Sequence, residues 1–419
     1  MNLTAKELFP DLINELPPER AKRVEAIVGR FFSKTLQRTD DGLPFIITGD
    51  IPAMWLRDST WQVAPFFSSS HPEMPILLAD LSRAQVKYFL IDPYANAFNP
   101  TPSGDCWHKD FEDQSPWVFE RKYELDSWAS ILYLARKVEQ QWGITSHIDE
   151  AFRNAVRKMI NLARREQRHD AASYRFWRDN GIVHDSLSHH GRGAPVGYTG
   201  MVYSAFRPSD DACTYGYLVP SNLFFLNELK QLPEDLRPHD LIEEIESGIK
   251  NYAVTNHGYA YEVDGLGNSL SMDDANMPSL LSLPYLGVCS ADDEMYLKTR
   301  ERILSDHNPY FHRSEIASGI GSQHTPPEHI WPIAIAMEGL TRGGKSDLSD
   351  VINLLESTDA GTGHMHESFH KDDPEIFTRG WFSWADAMYL ESVKLHAAKK
   401  VIWPSVRPEF RQDGTFRTF

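Results

Sequence analysis

Arg57 and Asp58 stand side by side just after Trp55, within Gly49-Asp50-Ile51-Pro52-Ala53-Met54-Trp55-Leu56-Arg57-Asp58-Ser59. A guanidinium fixed beside a carboxylate can grip vicinal hydroxyls through charge-assisted hydrogen bonds. An aromatic face next to the pair can pack on the apolar side of a sugar ring. A local cap or ion pair at a helix start is the competing use. Two more carboxylates follow in Phe206-Arg207-Pro208-Ser209-Asp210-Asp211-Ala212. Neighbouring carboxyls in a closed pocket raise at least one pKa, which keeps a proton ready for general acid work. Equally, Ser209 fits a helix N-cap, with Asp210 and Asp211 in the first turn. A further carboxylate, Glu367, lies in Gly361-Thr362-Gly363-His364-Met365-His366-Glu367-Ser368-Phe369-His370. Aimed into a pocket from a loop, it would act as a base on water.

The same stretch matches His-Glu-x-x-His through His366, Glu367 and His370. In zinc peptidases that pattern needs two imidazoles one turn apart on a helix. Glycines upstream and Asp373-Pro374 downstream predict a loop instead, so a zinc metallopeptidase stands as the alternative. Glu124 and Asp126 open a periodic helix and are candidates to bind sugar hydroxyls; ordinary N-terminal helix carboxylates are the other reading. His324 could hydrogen-bond a substrate hydroxyl, and Trp331 could serve as stacking platform or core.

Bringing these residues together requires a scaffold. Periodicity predicts helices over 19–35, from Asp58, and over 75–90, 122–142, 148–167, 210–230, 239–253, 278–288, 291–304, 328–342, 346–357 and 380–398, about twelve in all. The 148–167 segment is amphipathic, with Phe152, Val156, Met159, Ile160 and Ala163 on one face. By contrast 331–337 and much of 279–287 are apolar all round, as helices buried on every side are. Such alternation predicts an all-α fold, an (α/α)6 barrel of six helical hairpins, with an irregular bundle as the alternative. Long loops at 91–117, 170–209, 254–277, 305–327 and 358–379 carry aromatics, His and Asp. They are expected to gather at one end of the barrel and wall the pocket.

The 419 residues show no linker or composition break, so one catalytic domain over 1–419 is expected. A net charge of −17 argues against nucleic acid and against anionic membranes as partners. No apolar run reaches the length of a membrane span. Three cysteines, Cys106, Cys213 and Cys289, form no CxxC pair and fit a reducing compartment. Met1 to Glu7 lacks a basic segment leading into an apolar one, so a cytoplasmic location is expected. Asp264-Gly265-Leu266-Gly267-Asn268 reads as a surface turn, since Leu270 stands where a phosphate cradle needs its third glycine.

Taken in order, the 49–59 string, the 206–212 string, Asp273-Asp274-Ala275-Asn276-Met277-Pro278-Ser279-Leu280-Leu281 and His366-Glu367-Ser368-Phe369 resemble glycoside hydrolase family 125. The resemblance runs from about residue 20 to about 395 and does not extend to 403–419. It implies a metal-independent exo-α-1,6-mannosidase with no cofactor, acting with inversion on mannose-containing oligosaccharides. A looser likeness to glucoamylases implies that Arg57 and Asp58 grip the terminal sugar. It also implies that Glu367 is the base and Asp210 the acid, with Asp211 as the rival for that role. A related barrel enzyme acting on glucosides is the nearest alternative.

Overall fold

The computed structural model describes residues 3–343 and 347–398. The 403–419 segment lies outside the described residues. The chain is helix-rich, as expected. The main helices are α1 (Pro18–Arg30), α2 (Leu56–Gln62), α3 (Glu73–Ile91), α4 (Leu125–Trp142), α5 (Glu150–Glu166), α6 (Val219–Lys230), α7 (His239–Gly248), α8 (Glu294–Ile303), α9 (Pro332–Leu340), α10 (Ser349–Ser357) and α11 (Ser383–Ala397). Six small sheets of two or three short strands join them. Those strands are an addition to the all-helical expectation.

The helices fall into two kinds. Every residue of α2 is buried, and α6, α9 and α11 are buried almost throughout. Helix α5 buries Phe152, Val156, Met159 and Ala163 on one face, with Ile160 half-buried beside them. The buried helices contact one another in succession: α2 with α4, α4 with α6, α9 with α11, and α11 back onto α2. The half-exposed ones lie against them, α3 on α4, α7 on α6, and α10 on both α9 and α11. Hydrophobic burial stabilises this arrangement by about 25 cal/mol per Å² of apolar surface removed from water.

Three predicted helices are corrected. The 210–230 helix begins only at Val219, so Ser209 caps nothing. Residues 206–216 form a loop instead, bridged at Phe206 and Ala212, and lead into the strand Tyr217–Leu218. Glu262 holds that loop, pairing with Arg207 Nε at 2.6 Å and accepting the Thr214 and Tyr215 N–H groups at 2.8 and 3.0 Å. Pro220 then starts the helix where its missing N–H costs nothing. The 278–288 segment is a run of turns, buried but not helical. Asp273 captures the Leu280 and Leu281 N–H groups at 2.8 and 2.9 Å, and Pro284 has none to give. The 328–342 helix also starts late, because His329–Ile330 pairs as a strand with Phe369 and His370.

Buried helices begin directly after short extended stretches. Trp55, Glu124, Leu218, Trp331 and Phe382 all occupy such N-cap positions in β conformation. Gly49 joins the early chain to the entry of α11, bridging to Phe382 at φ +119°. A Cβ there would lie 2.6 Å from the Trp381 carbonyl oxygen, so only glycine permits the approach.

Candidate active site

The starts of the buried helices and the long loops surround a cavity of about 370 Å³. That falls within the range of about 300–1,000 Å³ usual for small-molecule sites. All five predicted loops reach it: Trp107 from the first, His184 and Ser209 from the second, Asn276 from the third, His324 from the fourth, and Glu367 with Arg379 from the fifth. Trp55, Arg57, Asp58, Asp210, Asp211 and Trp331 line it as well. Eight of the ten residues singled out in the sequence therefore meet at one site.

Glu124 and Asp126 are the other two. Both side chains are fully buried behind Arg57 and do not line the cavity. Their expected direct contact with sugar is corrected to support of the guanidinium. Arg57 Nη1 donates to Glu124 Oε2 at 2.6 Å and to Asp126 Oδ2 at 3.3 Å. Its Nη2 lies 3.2 Å from Asp58 Oδ1 and 3.8 Å from Asp210 Oδ1. The Trp384 ring covers it at 5.5 Å. A buried cation ringed by carboxylates is thus held rigid at the wall. Thr48 Oγ1 donates to Asp58 Oδ2 at 2.9 Å, and burial raises the Asp58 carboxyl despite Arg57.

Asp210 and Asp211 are neighbours that face different partners. Asp210 has φ +66°, a left-handed conformation that Asp tolerates better than most residues. Its side chain is 22% exposed, against 1% for Asp211. Asn96 Nδ2 donates to Asp210 Oδ1 at 3.2 Å, and Lys122 Nζ holds the Asp210 carbonyl at 2.7 Å. Burial pushes the Asp210 carboxyl up, but Lys122, Arg57, a Glu124 hydrogen bond and His324 hold it below the usual range. Asp211 instead hydrogen-bonds His324 Nδ1 at 3.2 Å.

Burial opposes the charged His324 ring. The Asp211 bond and the charges of Asp211, Glu367 and Asp210 nevertheless raise it to about 9. A folded-state value above the unfolded one stabilises fully below about pH 6.5 and is lost as pH rises through about 9. His324→Gln is expected to flatten the fall in urea-unfolding free energy across that window. The effect should be on the order of 1–2 kcal/mol, because solvent screens a side chain that is 33% exposed. Identical pH slopes in wild type and variant would count against the ion pair.

Glu367 immediately precedes the strand Ser368–His370 and is 8% exposed. Arg379 Nη1 lies 3.7 Å from its Oε1, and Arg379 is itself pinned to Asp50 at 2.5 Å. The zinc-peptidase alternative fails on backbone geometry. His366 precedes the strand that His370 ends, so the two do not share a helix face. The His366 ring stacks on Phe377 at 3.8 Å, and its Nε2 contacts the Asp359 carbonyl at 3.1 Å. No cluster able to hold a metal occurs among the described residues.

Trp55 is 5% and Trp331 2% exposed, so each offers the cavity only an edge. Sequence reasoning missed Lys122, Arg379, Trp384, Trp107 and Asn276. Asn276 is the most telling: both its side-chain polar atoms are buried, face no protein partner, and belong to a cavity-lining residue. Buried polar groups are normally paired, so two unsatisfied atoms on one cavity-lining side chain stand out. Its place in the 273–281 string was the available signal. Trp107 stands 60% exposed on the cavity lining.

Residues 21–394 match the family described as metal-independent alpha-mannosidase, GH125. A solved metal-independent α-mannosidase from Streptococcus pneumoniae, in non-productive complex with α-1,6-mannobiose, is 41% identical with a TM-score of 0.89. The match covers 96% of this chain and 100% of that one. The meiotically up-regulated gene 157 protein of Schizosaccharomyces pombe is 34% identical over 398 residues, 85% of this chain and 78% of its own. A bacterial glucoamylase solved with acarbose is 12% identical with a TM-score of 0.51, over 82% of this chain and 49% of its own. That last likeness is one of fold alone.

Proposed function

Because the chain belongs to the metal-independent α-mannosidase family GH125, we propose that it removes terminal α-1,6-linked mannose from oligosaccharides, exo-wise and with inversion. The observation that carries this reading is the meeting of a partly exposed Asp210 with Glu367 in one cavity, beside the rigid Arg57–Asp58 pair. The succession of buried helices and the glucoamylase likeness support an (α/α)6 barrel as the scaffold. The complex of the 41% identical relative supports the 1,6 linkage.

In this mechanism Asp210 donates a proton to the glycosidic oxygen as the bond to the anomeric carbon breaks. Glu367 takes a proton from a water that attacks the opposite face of the ring. Inversion needs the two carboxyls about 6.5–9.5 Å apart, which leaves room for that water; a nucleophilic carboxylate would need about 5–5.5 Å. Arg57, Asp58 and Asn276, all buried, bind hydroxyls of the terminal mannose, and a wall of such groups beyond that sugar supports exo action. The free thiols of Cys106, Cys213 and Cys289 support a cytoplasmic setting and hence short oligosaccharides as substrates.

An NMR time course on α-1,6-mannobiose tests the reading. β-Mannose is expected first, with α-mannose appearing only by mutarotation; initial α-mannose would refute inversion. A panel of aryl glycosides is expected to show turnover of the mannoside over the glucoside. Dialysis against a chelator should leave the rate unchanged, whereas loss restored by zinc would revive the metallopeptidase-like site.

A further inference from the structure

We propose that Lys122 is a positioning residue for the general acid: its ammonium pins the Asp210 peptide in the left-handed conformation from which the Asp210 carboxyl is presented to the cavity. The inference rests on the reading of Asp210 as that acid. Two adjacent carboxylates offer two candidates, and the backbone decides between them. Asp210 has φ +66°, and its N–H donates to the Arg207 carbonyl at 2.9 Å in a tight turn. That conformation is unfavourable for a residue with a Cβ and persists only where its surroundings over-determine it. Asp211, in contrast, is almost fully buried against His324.

Lys122 supplies that constraint. Its Nζ donates to the Asp210 carbonyl at 2.7 Å and pairs with Asp185 Oδ1 at 2.7 Å. Glu120 Oε1 lies 3.6 Å from it, and the Phe206 ring is at 5.3 Å. Lysine is almost never as deeply buried as this one unless it is paired. The ammonium is itself immobilised. Arg178 donates to Asp185 at 3.1 Å, to Glu120 at 3.0 Å and to Asp110 at 2.6 Å, which ties the 91–117 and 170–209 loops to it. The Lys122 backbone N–H donates to Asn96 Oδ1 at 3.1 Å, and Asn96 Nδ2 donates to Asp210 Oδ1 at 3.2 Å. Asp210 is therefore held at two points. The Lys122 side chain holds its carbonyl, and the amide that receives the Lys122 backbone holds its carboxyl.

The charge on Lys122 has a second consequence. Burial disfavours the ammonium, but Glu120, Asp210 and Asp185 hold it above the usual lysine range, so it stays charged at neutral pH. Burial pushes the Asp210 carboxyl up, and Lys122 is foremost among the charges that pull it down. Removing the ammonium therefore raises Asp210 and leaves it protonated to higher pH. Lys122 acts on the reaction through Asp210 and gives up no proton itself.

Lys122→Met removes the ammonium and its donors. Turnover of α-1,6-mannobiose is expected to fall about 10²-fold, the cost of misplacing a reacting group by about 1 Å. Turnover of 2,4-dinitrophenyl α-mannoside, whose leaving group needs no proton, should change little. The alkaline limb of kcat/KM on mannobiose should move to higher pH, since that limb reports the acid in the free enzyme. Lys122→Arg keeps charge and donors, and is expected to restore the limb and part of the rate. Equal losses on both substrates in Lys122→Met, as a collapsed cavity wall would give, or an unmoved alkaline limb, would overturn the proposal. Asp210→Asn run beside it separates the inference from the reading beneath it. Loss on mannobiose with retention on the dinitrophenyl substrate upholds Asp210 as the acid, whatever Lys122→Met does. Equal loss in Asp210→Asn removes the acid and its positioning residue together. Stripping Lys122 leaves Asp185 and Glu120 without their cation, which endangers folding. If Lys122→Met does not fold, the double variant Lys122→Met with Asp185→Asn is assayed on the same two substrates. Selective loss on mannobiose upholds the proposal there, and equal loss refutes it.

Discussion

Glu367→Gln is expected to lower kcat on α-1,6-mannobiose by about 10²–10⁴-fold, the usual worth of a positioned general base. The amide is the same size as the carboxylate and can still face Arg379, which lies 3.7 Å from Oε1 in the native site. What it loses is the ability to take a proton from water. Binding should survive, because Arg57, Asp58 and Asn276, the groups proposed to grip hydroxyls, come from other elements. Titration calorimetry with mannose and single-turnover kinetics separate the two effects. Near-native turnover would remove Glu367 from the base role. Affinity lost in step with rate would reassign it to binding.

The second large effect concerns stability. Arg57→Met removes a cation that faces Asp58, Glu124, Asp126 and Asp210. Stripping one partner from a buried charge cluster costs about 3–5 kcal/mol, because the remaining charges stay buried without compensation. Turnover should vanish as well. The pH dependence has a definite sign. Asp58 and Glu124 are already raised by burial, against the pull of Arg57, and losing Arg57 raises them further. A carboxyl raised in the folded state contributes stability below its unfolded value of about 4 and loses it as pH rises. The deficit of the variant should therefore be larger at pH 8 than at pH 5, read by urea unfolding of both proteins. A deficit independent of pH would mean that the cost is packing alone. Arg57→Lys should lie between, since lysine keeps the charge but not the planar fork.

The sequence carried much of this site. The Arg57–Asp58 pair, the Asp210–Asp211 pair and Glu367 were legible because rare residue combinations in a fixed order leave a signature independent of their distance apart. The loops were legible because long segments rich in Trp, His and Asp belong at a pocket rather than in a core. Amphipathic α5 was read correctly down to its buried face, since a 3.6-residue period is a local property. The helix starts at 219 and 332 were not, because each is set by a distant partner. Glu262 holds the loop before the first, and Phe369 with His370 pairs with the strand before the second.

By itself, then, the sequence determined the family, the helical character of the chain and the set of side chains proposed here for glycosidic chemistry. Only the tertiary structure decided their surroundings. It placed Glu124 and Asp126 behind Arg57 rather than beside it in the cavity. It also turned Asp210 toward Lys122 and Arg57 while Asp211 met His324. The physical reason is the same in both cases. A side chain's exposure and charge depend on partners 67 to 114 residues away in the chain, as with Glu124 to Arg57 and Asp210 to Asn96. Local spacing names the groups, but the field each one feels is assembled only by folding.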